Sequence, residues 1–327
     1  MTGLSDSFQR PVNYLRISVT DRCNLRCIYC VPANGFRLMP HRNILSYEEI
    51  YTIVKAAAEL GINKVRITGG EPLVRAGLAT LIRMLARIDT IDDISLTTNG
   101  ILLANYAAEL KQAGAQRINV SLDTLKPTKF RHITQRGNLA DVLKGIETAK
   151  SVGLNPVKIN VVVMSGINDD ELLDFATKTV EEGWHVRFIE CMPFTGKDAT
   201  APQFVPASEV KRRIKTLGEL ESSLTCIGSG PAKYFRFPSA KGTIGFITPV
   251  SDHFCFCCNR LRLTADGKLR SCLLSDEEID LKEPLRNAMS SDMLKQQFQK
   301  AVASKPLRHQ LAEGYIPEDR SFSQVGG

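Results

Sequence analysis

The sequence predicts an α/β fold, a partial (βα)6 barrel of the TIM type followed by a C-terminal extension. Runs rich in Val, Ile and Thr alternate with amphipathic segments from residue 14 to about residue 190. This alternation repeats six times, which implies a parallel sheet with right-handed crossovers. An open doubly wound sheet is the alternative. Cysteines follow the first strand, where a nucleotide-binding open sheet usually has its glycine fingerprint, and this favours the partial barrel.

Six short runs supply the predicted strands. They are YLRISVT (14–20), KVRIT (64–68), DISLTT (93–98), RINVSLD (117–123), VKINVVVM (157–164) and HVRFIE (185–190). Helical patterns lie at 46–61, 76–88, 101–114, 139–153 and 168–182. The first helix has the clearest boundaries, because Ser46 and Glu49 form a capping box and Gly61 supplies a stop.

The pattern changes after residue 195, and we predict two regions, a barrel over 1–195 and a C-terminal region over 196–327. In the second region, 207–217 and 284–302 are predicted helices. Asp266–Gly267 marks the turn of a hairpin. No long low-complexity linker separates the regions, so we expect the C-terminal region to pack on the barrel.

Composition narrows the class of protein. Hydrophobic residues make up 43% and charged residues 24%, as in ordinary globular proteins. The net charge of +7 suits an anionic ligand, but scattered basic residues and only 7% aromatics argue against nucleic-acid binding. We find no secretion signal and no apolar run of membrane-spanning length, which predicts a cytoplasmic protein with no membrane contact. Nine cysteines, clustered near the two ends, indicate metal or redox chemistry rather than a disulfide framework.

The first cysteine motif follows the first predicted strand, with the spacing Cys23-x3-Cys27-x2-Cys30. A zinc site completed by a distant ligand is one interpretation. The other is a 4Fe–4S cluster with three protein ligands, which leaves one iron open to a small molecule. The segment RITGGEPL (66–73) follows the second strand. A lone pair of glycines is more often only a turn, although two glycines also allow close backbone approach and a carboxylate such as that of Glu71 can pair with an ammonium group.

The second motif has the spacing Cys255-x2-Cys258-x13-Cys272, with Cys257 between the first two ligands. A zinc knuckle is one interpretation, with Cys257 or His253 as the fourth ligand, although both lie in or against the same tight loop. The alternative is a second cluster with an open iron, which would bind a substrate. Two further cysteines, Cys191 and Cys226, stand alone and are interpreted as ordinary buried or half-buried thiols.

Several motifs together resemble known families. The first cysteine motif resembles the signature of the radical S-adenosylmethionine superfamily, because the aromatic residue Tyr29 directly precedes its last cysteine. The glycine–glycine–glutamate turn after the second strand resembles the same superfamily. A longer set of motifs is similar to the molybdenum cofactor biosynthesis protein A family. These motifs are the blocks DRCNLRCxYC and FCxxCNRLRLTADGKLRxCL, with GGEPLVR, LTTNG, VSLDTL, VKIN, RFIECMPF and a terminal Gly326–Gly327. The resemblance extends from about residue 10 to the last residue, and Cys257 is its one local departure.

The resemblance implies an activity and cofactors. Members of this family are GTP 3′,8-cyclases, which form (8S)-3′,8-cyclo-7,8-dihydroguanosine 5′-triphosphate in the first step of molybdenum cofactor biosynthesis. A 5′-deoxyadenosyl radical from S-adenosylmethionine removes a hydrogen atom from the 3′ carbon of GTP, and the resulting carbon radical attacks carbon 8 of guanine. Reduction then gives the dihydro product. The implied partners are a flavodoxin- or ferredoxin-type electron donor and the next enzyme of pterin synthesis, for a monomer or a homodimer. A radical enzyme acting on a peptide is the alternative, although its auxiliary domain would generally contain more cysteines.

The resemblance also implies roles for individual residues. Two 4Fe–4S clusters would be held by Cys23, Cys27 and Cys30, and by Cys255, Cys258 and Cys272. S-adenosylmethionine would contact Tyr29, Gly70, Glu71, Ser121 and Met192. GTP would contact Arg16, Arg66, Thr97, Lys158, Arg260, Leu261 and Arg262. Arg260 and Arg262 are also expected to act in catalysis, together with Gly326 and Gly327, which would reach into the active site. Simpler interpretations stay open: a solvated surface arginine, a plain strand serine for Ser121, a core methionine for Met192, and a frayed terminus.

Overall fold

One twelve-stranded sheet organises the part of the chain that this computed structural model describes, residues 3–31, 35, 37–192, 203–223, 230–317 and 320–326. The strands are β1 Tyr14–Ser18, β2 Lys64–Thr68, β3 Asp93–Thr98, β4 Arg117–Ser121, β5 Val157–Val163, β6 His185–Glu190, β7 Glu221–Ser222, β8 Lys233–Arg236, β9 Thr243–Ile247, β10 Arg260–Leu263, β11 Lys268–Arg270 and β12 Ile279–Asp280. Their order is β12-β11-β10-β1-β2-β3-β4-β5-β6-β9-β8-β7.

Eight neighbouring strands, from β10 to β9 in that order, are parallel. The six predicted strands are confirmed as β1 to β6, and they form the α/β partial barrel that the sequence predicted. Within the described residues the sheet ends at β12 and β7, which do not pair with each other. The carboxyl ends of the parallel strands share one edge, where ligands bind in parallel sheets.

The α-helices that cover the sheet are α1 Tyr47–Glu59, α2 Leu78–Leu85, α3 Leu103–Ala113, α4 Pro127–Thr134, α5 Leu139–Ser151, α6 Leu172–Glu181, α7 Ala207–Ile214, α8 Lys282–Arg286 and α9 Ser291–Ala303. The capping box of α1 is confirmed: Glu49 N donates to Ser46 Oγ (3.1 Å), and Ser46 N donates to Glu49 Oε2 (2.7 Å). The core lies between the sheet and these helices and includes the fully buried Ile17, Ile67 and Leu96. No helix in the described ranges combines the length and apolar character needed to span a membrane.

Two helix predictions differ from the structure. Helix α4 was not predicted, although Pro127 in its first turn is a helix-start signal. The helix predicted over 284–302 is wrong as a single element, because α8 ends at Arg286 and α9 begins only at Ser291. Between them Ala288 has a φ of 61°, in the left-handed region, and Ser290 caps α9. The predicted region boundary at 195 falls within 193–202, outside the described residues, and the division stays a prediction.

Candidate active site

The loop after β1 brings the first three cysteines into a cavity at the carboxyl edge of the sheet. Cys23, Cys27 and Cys30 line this first cysteine cavity together with Glu71. All three are free thiols. Burial raises the pKa of Cys23 to about 11 and that of Cys30 to about 12. Three sulfur donors directed at one cavity fit a cluster with three protein ligands and an open iron.

Helix α4 holds the loop that contains these cysteines. Arg26 N donates to Thr134 O (2.9 Å), and Ile28 N donates to Ile133 O (3.0 Å). Both acceptors lie at the end of α4, so the helix fixes the loop at two points between the first and last cysteine.

The glycine–glycine–glutamate turn after β2 packs against the same loop. A Cβ on Gly70 would lie 2.3 Å from Arg22 O, so the glycine is needed for close approach to the protein backbone itself. Glu71 is buried and accepts from Leu73 N (3.0 Å), Thr98 Oγ1 (2.7 Å) and Asn99 N (2.7 Å). Burial raises the pKa of Glu71 to about 7, and these hydrogen bonds oppose that rise.

A second cavity adjoins the first. Cys255, Cys258 and Cys272 line this second cysteine cavity. Four residues line both cavities, namely Tyr29, Thr97, Ser121 and Phe322. Cys257 is exposed, does not line the second cysteine cavity, and places Sγ 3.3 Å from Phe254 O. The three cysteines with the family spacing therefore converge, and the extra cysteine points elsewhere.

Tyr29 forms part of the wall between the two cavities. Its hydroxyl donates to Asp123 Oδ2 (2.8 Å), and Asp123 Oδ1 accepts from Val162 N (2.8 Å). Burial raises the pKa of Asp123 to about 6. The tyrosine ring is therefore tied to the ends of β4 and β5.

The second cysteine site is electropositive. Burial alone would raise the pKa of Cys258, but the charges of Arg260 and Lys305 and hydrogen bonds from Arg260 lower it to about 6. Arg260 also lies over the Phe254 ring, with its guanidinium carbon 4.9 Å from the ring centre. No set of three or more His, Cys, Asp or Glu side chains in the described ranges is arranged to hold a single metal ion. A four-iron cluster binds each cysteine through a different iron, so three converging cysteines suffice to hold one cluster.

A row of arginines crosses three neighbouring strands of the second cysteine cavity. Arg16 on β1 is in register with Arg262 on β10 and with Arg66 on β2. All three line the cavity. Burial, with the neighbouring Arg262, lowers the pKa of Arg16 well below its usual value. Burial, with Arg260, lowers the pKa of Arg262 to about 9. Such crowded, desolvated cations favour an anionic ligand.

Arg187 belongs to the same cavity and was not found from the sequence. It lies on β6, is buried, and donates to Asn119 Oδ1. Burial lowers the pKa of Arg187. Its position in the strand run HVRFIE could have identified it, because an arginine between two apolar strand residues is unusual for a solvated side chain. The cavity lining also includes Tyr14, Asn160, Phe254 and His309, which the sequence did not single out.

The remaining predicted contacts divide into those that line a cavity and those that do not. Met192 lines the second cysteine cavity, and Gly70 and Glu71 line the first. Lys158 is buried, with Nζ 5.5 Å from the centre of the Tyr234 ring, and lines neither cavity. The side chain of Leu261 is fully buried in the core. Cys191 is buried and lines the second cysteine cavity, whereas Cys226 lies outside the described residues.

The C-terminal segment reaches the arginine row. Arg262 Nη1 donates to Gly326 O (2.8 Å). Gly326 has a φ of 66°, and a Cβ there would lie 2.7 Å from Thr68 Cγ2. A glycine is therefore required at this position by both conformation and space. Gly327 lies outside the described residues.

Comparisons with known proteins agree with this geometry. Residues 17–178 match the family described as the Radical SAM superfamily, and residues 184–311 match Molybdenum Cofactor Synthesis C. The chain is 52% identical to the GTP 3′,8-cyclase of Moorella thermoacetica over 99% of this chain and 100% of that relative. It is 51% identical to the GTP 3′,8-cyclase of Pelotomaculum thermopropionicum, with the same coverage. The crystal structure of Streptococcus suis SuiB superposes with a TM-score of 0.61 at 14% identity, covering 88% of this chain and 68% of that chain, which shows a shared fold.

A parallel sheet with a three-cysteine loop after its first strand, matched by the superfamily description, defines a radical S-adenosylmethionine enzyme. Within that class the chain belongs to the GTP 3′,8-cyclase family, as its full-length identity with these relatives shows. The two 4Fe–4S clusters and S-adenosylmethionine expected from the sequence are the cofactors of this family.

Proposed function

We propose that this chain converts GTP into (8S)-3′,8-cyclo-7,8-dihydroguanosine 5′-triphosphate, the first step of molybdenum cofactor biosynthesis. One observation carries the proposal: a three-cysteine site and a row of half-buried and buried arginines share one cavity, which adjoins a second three-cysteine site. GTP has a polyanionic end and a heteroaromatic end. The arginines suit its triphosphate, and the second cysteine site suits its base.

The first cluster is assigned to Cys23, Cys27 and Cys30, and the second to Cys255, Cys258 and Cys272. When bound and reduced, the first cluster together with S-adenosylmethionine would supply a 5′-deoxyadenosyl radical, which removes the hydrogen atom from the 3′ carbon of GTP. Tyr29, Gly70, Glu71, Ser121 and Met192 are the proposed contacts of S-adenosylmethionine. Of these, Tyr29 and Ser121 lie in the wall that both cavities share.

The chain itself binds, orients and shields the substrate. Arg16, Arg66 and Arg262 approach the triphosphate from neighbouring strands, and Arg187 approaches from β6. Holding both ends of GTP fixes its ribose at the junction of the cavities, which is the position that a radical reaction requires. Of the other predicted GTP contacts, Thr97 and Arg260 line the same cavity and complete this set, whereas Lys158 and Leu261 do not line it.

The C-terminal glycines are proposed to close the site. Gly326 lies against Thr68 and accepts a hydrogen bond from Arg262, so the tail can seal the arginine row from water without placing a side chain there. The same role is proposed for Gly327. The proposal also includes an external electron donor of the flavodoxin or ferredoxin type and delivery of the product to the next enzyme of pterin synthesis. The proposed location is the cytoplasm.

The test is an anaerobic assay of the reconstituted, reduced chain with S-adenosylmethionine and GTP. We expect 5′-deoxyadenosine and a cyclised guanine nucleotide to form together. ATP is the matched control, because it keeps the triphosphate and changes the base, and it should give no cyclised product. Release of 5′-deoxyadenosine that does not depend on GTP, or no release at all, would contradict the proposal.

A further inference from the structure

A buried lysine contacts the backbone on both sides of the second cysteine site. Lys305 follows α9 and is only 4% exposed. Its Nζ donates to Arg260 O (2.9 Å) and to Ser271 O (2.7 Å). Arg260 comes two residues after Cys258, and Ser271 directly precedes Cys272. One ammonium group therefore bridges the backbone beside two of the three cysteines.

A buried arginine from the opposite end of the chain contacts the backbone of the third cysteine. Arg10 Nη1 donates to Cys255 O (2.7 Å) and to Leu307 O (2.9 Å), and Nη2 donates to Pro306 O (2.7 Å). The acceptors Pro306 and Leu307 directly follow Lys305 in the sequence. Arg10 thus links the segment that contains the lysine to the cysteine loop.

The two cations differ in their counter-charges. Arg10 is paired with Asp6, with Nε 2.5 Å from Oδ2. In the described ranges of the chain, no carboxylate lies within 4.0 Å of Lys305 Nζ, whose hydrogen bonds go to carbonyl oxygens. A buried ammonium without an anion is costly, so the site is built for an anion that is close by.

A 4Fe–4S cluster with three thiolate ligands is such an anion. Its two positive core charges are outweighed by three thiolates, and reduction adds one further negative charge. Positive charge nearby stabilises the reduced form, and hydrogen bonds and net charge set the potential of such clusters.

We propose that Lys305, held in place by Arg10, is a positioning residue for the second iron–sulfur cluster. It fixes the backbone beside Cys258 and Cys272, and its charge makes the cluster easier to reduce. The inference rests on the proposed function, because it requires that the second cysteine site holds a cluster.

Two substitutions separate the two parts of this role. Lys305→Met removes the hydrogen bonds and the charge, whereas Lys305→Gln keeps N–H donors without the charge. Lys300→Met, on the exposed face of α9, is the matched control. Each full-length variant is reconstituted anaerobically, and its iron content is measured. The potential of the second cluster is then measured by electron paramagnetic resonance in chains whose Cys23, Cys27 and Cys30 are serine.

The wild-type chain and Lys300→Met should bind about eight irons, and Lys305→Met should keep about four, those of the first cluster. The retained first cluster reports that this variant is folded. Lys305→Gln should keep the second cluster, but its potential should be shifted to a more negative value. Eight irons in Lys305→Met would overturn the positioning role, and a wild-type potential in Lys305→Gln would overturn the role of the charge. A wild-type chain that binds only about four irons would instead contradict the proposed function.

Discussion

The charged groups beside Cys258 differ in sign from those beside the cysteines of the first site. At the first site, burial raises the pKa of Cys23 and Cys27, and the carboxylates of Glu71 and Asp123 add to this effect. At the second site the cations outweigh burial and lower the pKa of Cys258 to about 6. Thiolates are the forms that bind iron. The shift of Cys258 therefore favours its thiolate form, whereas burial raises the pKa of Cys255 at the same site, as it does for the cysteines of the first site.

The extra cysteine of the second motif, Cys257, provides a prediction for a single residue. Cys257→Ser should leave both clusters and turnover largely intact, because Cys257 is exposed and lies outside the cavity lining. Cys258→Ser should reduce the iron content from about eight to about four per chain and abolish the cyclised product. Iron analysis and the anaerobic assay test both variants, and each variant serves as the control for the other. The opposite pattern would reassign the ligand to Cys257.

Among the elements, α4 connects the first cysteine site to the core. Ile133 is fully buried with Met164 and Cys191, and Ile28 and Tyr29 pack against this small cluster. The same isoleucine accepts the backbone hydrogen bond of Ile28. The position of the loop therefore depends on an eight-residue helix, which is too short to be stable without its tertiary contacts.

We accordingly predict that Ile133→Ala lowers the free energy of unfolding by about 3 kcal/mol and weakens binding of the first cluster. Ile146→Ala on α5 is the matched control, because Ile146 is equally buried but belongs to the main core. It should cost a similar free energy of unfolding and keep both clusters. Denaturant unfolding and iron content per chain test this comparison. Equal first-cluster occupancy in the two variants would show that α4 does not position the loop.

The difference between α4 and its neighbours shows which features the sequence could reveal. Strands β1 to β6 were predictable because each has a local pattern and directly continues the alternation of strands and helices. Helix α4 has only eight residues, PTKFRHIT, which are mostly polar, so Phe130 and Ile133 alone mark its buried apolar face. The cysteine spacing together with the family resemblance predicted both clusters, but Arg187 and the contact of Arg262 with Gly326 depend on tertiary packing between residues far apart in sequence. Lys305 had no local signal at all.

For the whole molecule, the C-terminal region completes the site by adding strands to both ends of the six-unit sheet. Strand β10 pairs with β1, and β9 pairs with β6. Because of the first pairing, Arg262 from the C-terminal region lies beside Arg16 from the first strand. The arginine row therefore exists only when both regions are folded together, and an isolated barrel would lack Arg262, one of the proposed contacts of GTP.

Glu190 at the end of β6 joins the barrel to the C-terminal region, and it provides a prediction for the whole molecule. Its buried carboxylate accepts from Ala207 N (3.0 Å), Val250 N (3.0 Å), Ser251 N (2.9 Å) and the Ser251 hydroxyl. Glu190→Gln replaces one acceptor oxygen with an NH2 group that faces these donors. Because buried donors left unsatisfied are costly, the substitution should lower the free energy of unfolding by about 3 kcal/mol. It should also speed amide hydrogen exchange at Ala207, Val250 and Ser251.

The matched control is Glu182→Gln, which removes a surface ion pair with Lys178 at the end of α6. Surface substitutions of this kind typically change stability by less than about 0.5 kcal/mol. Glu190 also lines the second cysteine cavity. Loosening its three backbone contacts should therefore raise the KM for GTP by a larger factor than it lowers the iron content per chain. Normal exchange rates at those amides in Glu190→Gln would mean that other contacts, such as the β6–β9 pairing, hold the two regions together without it.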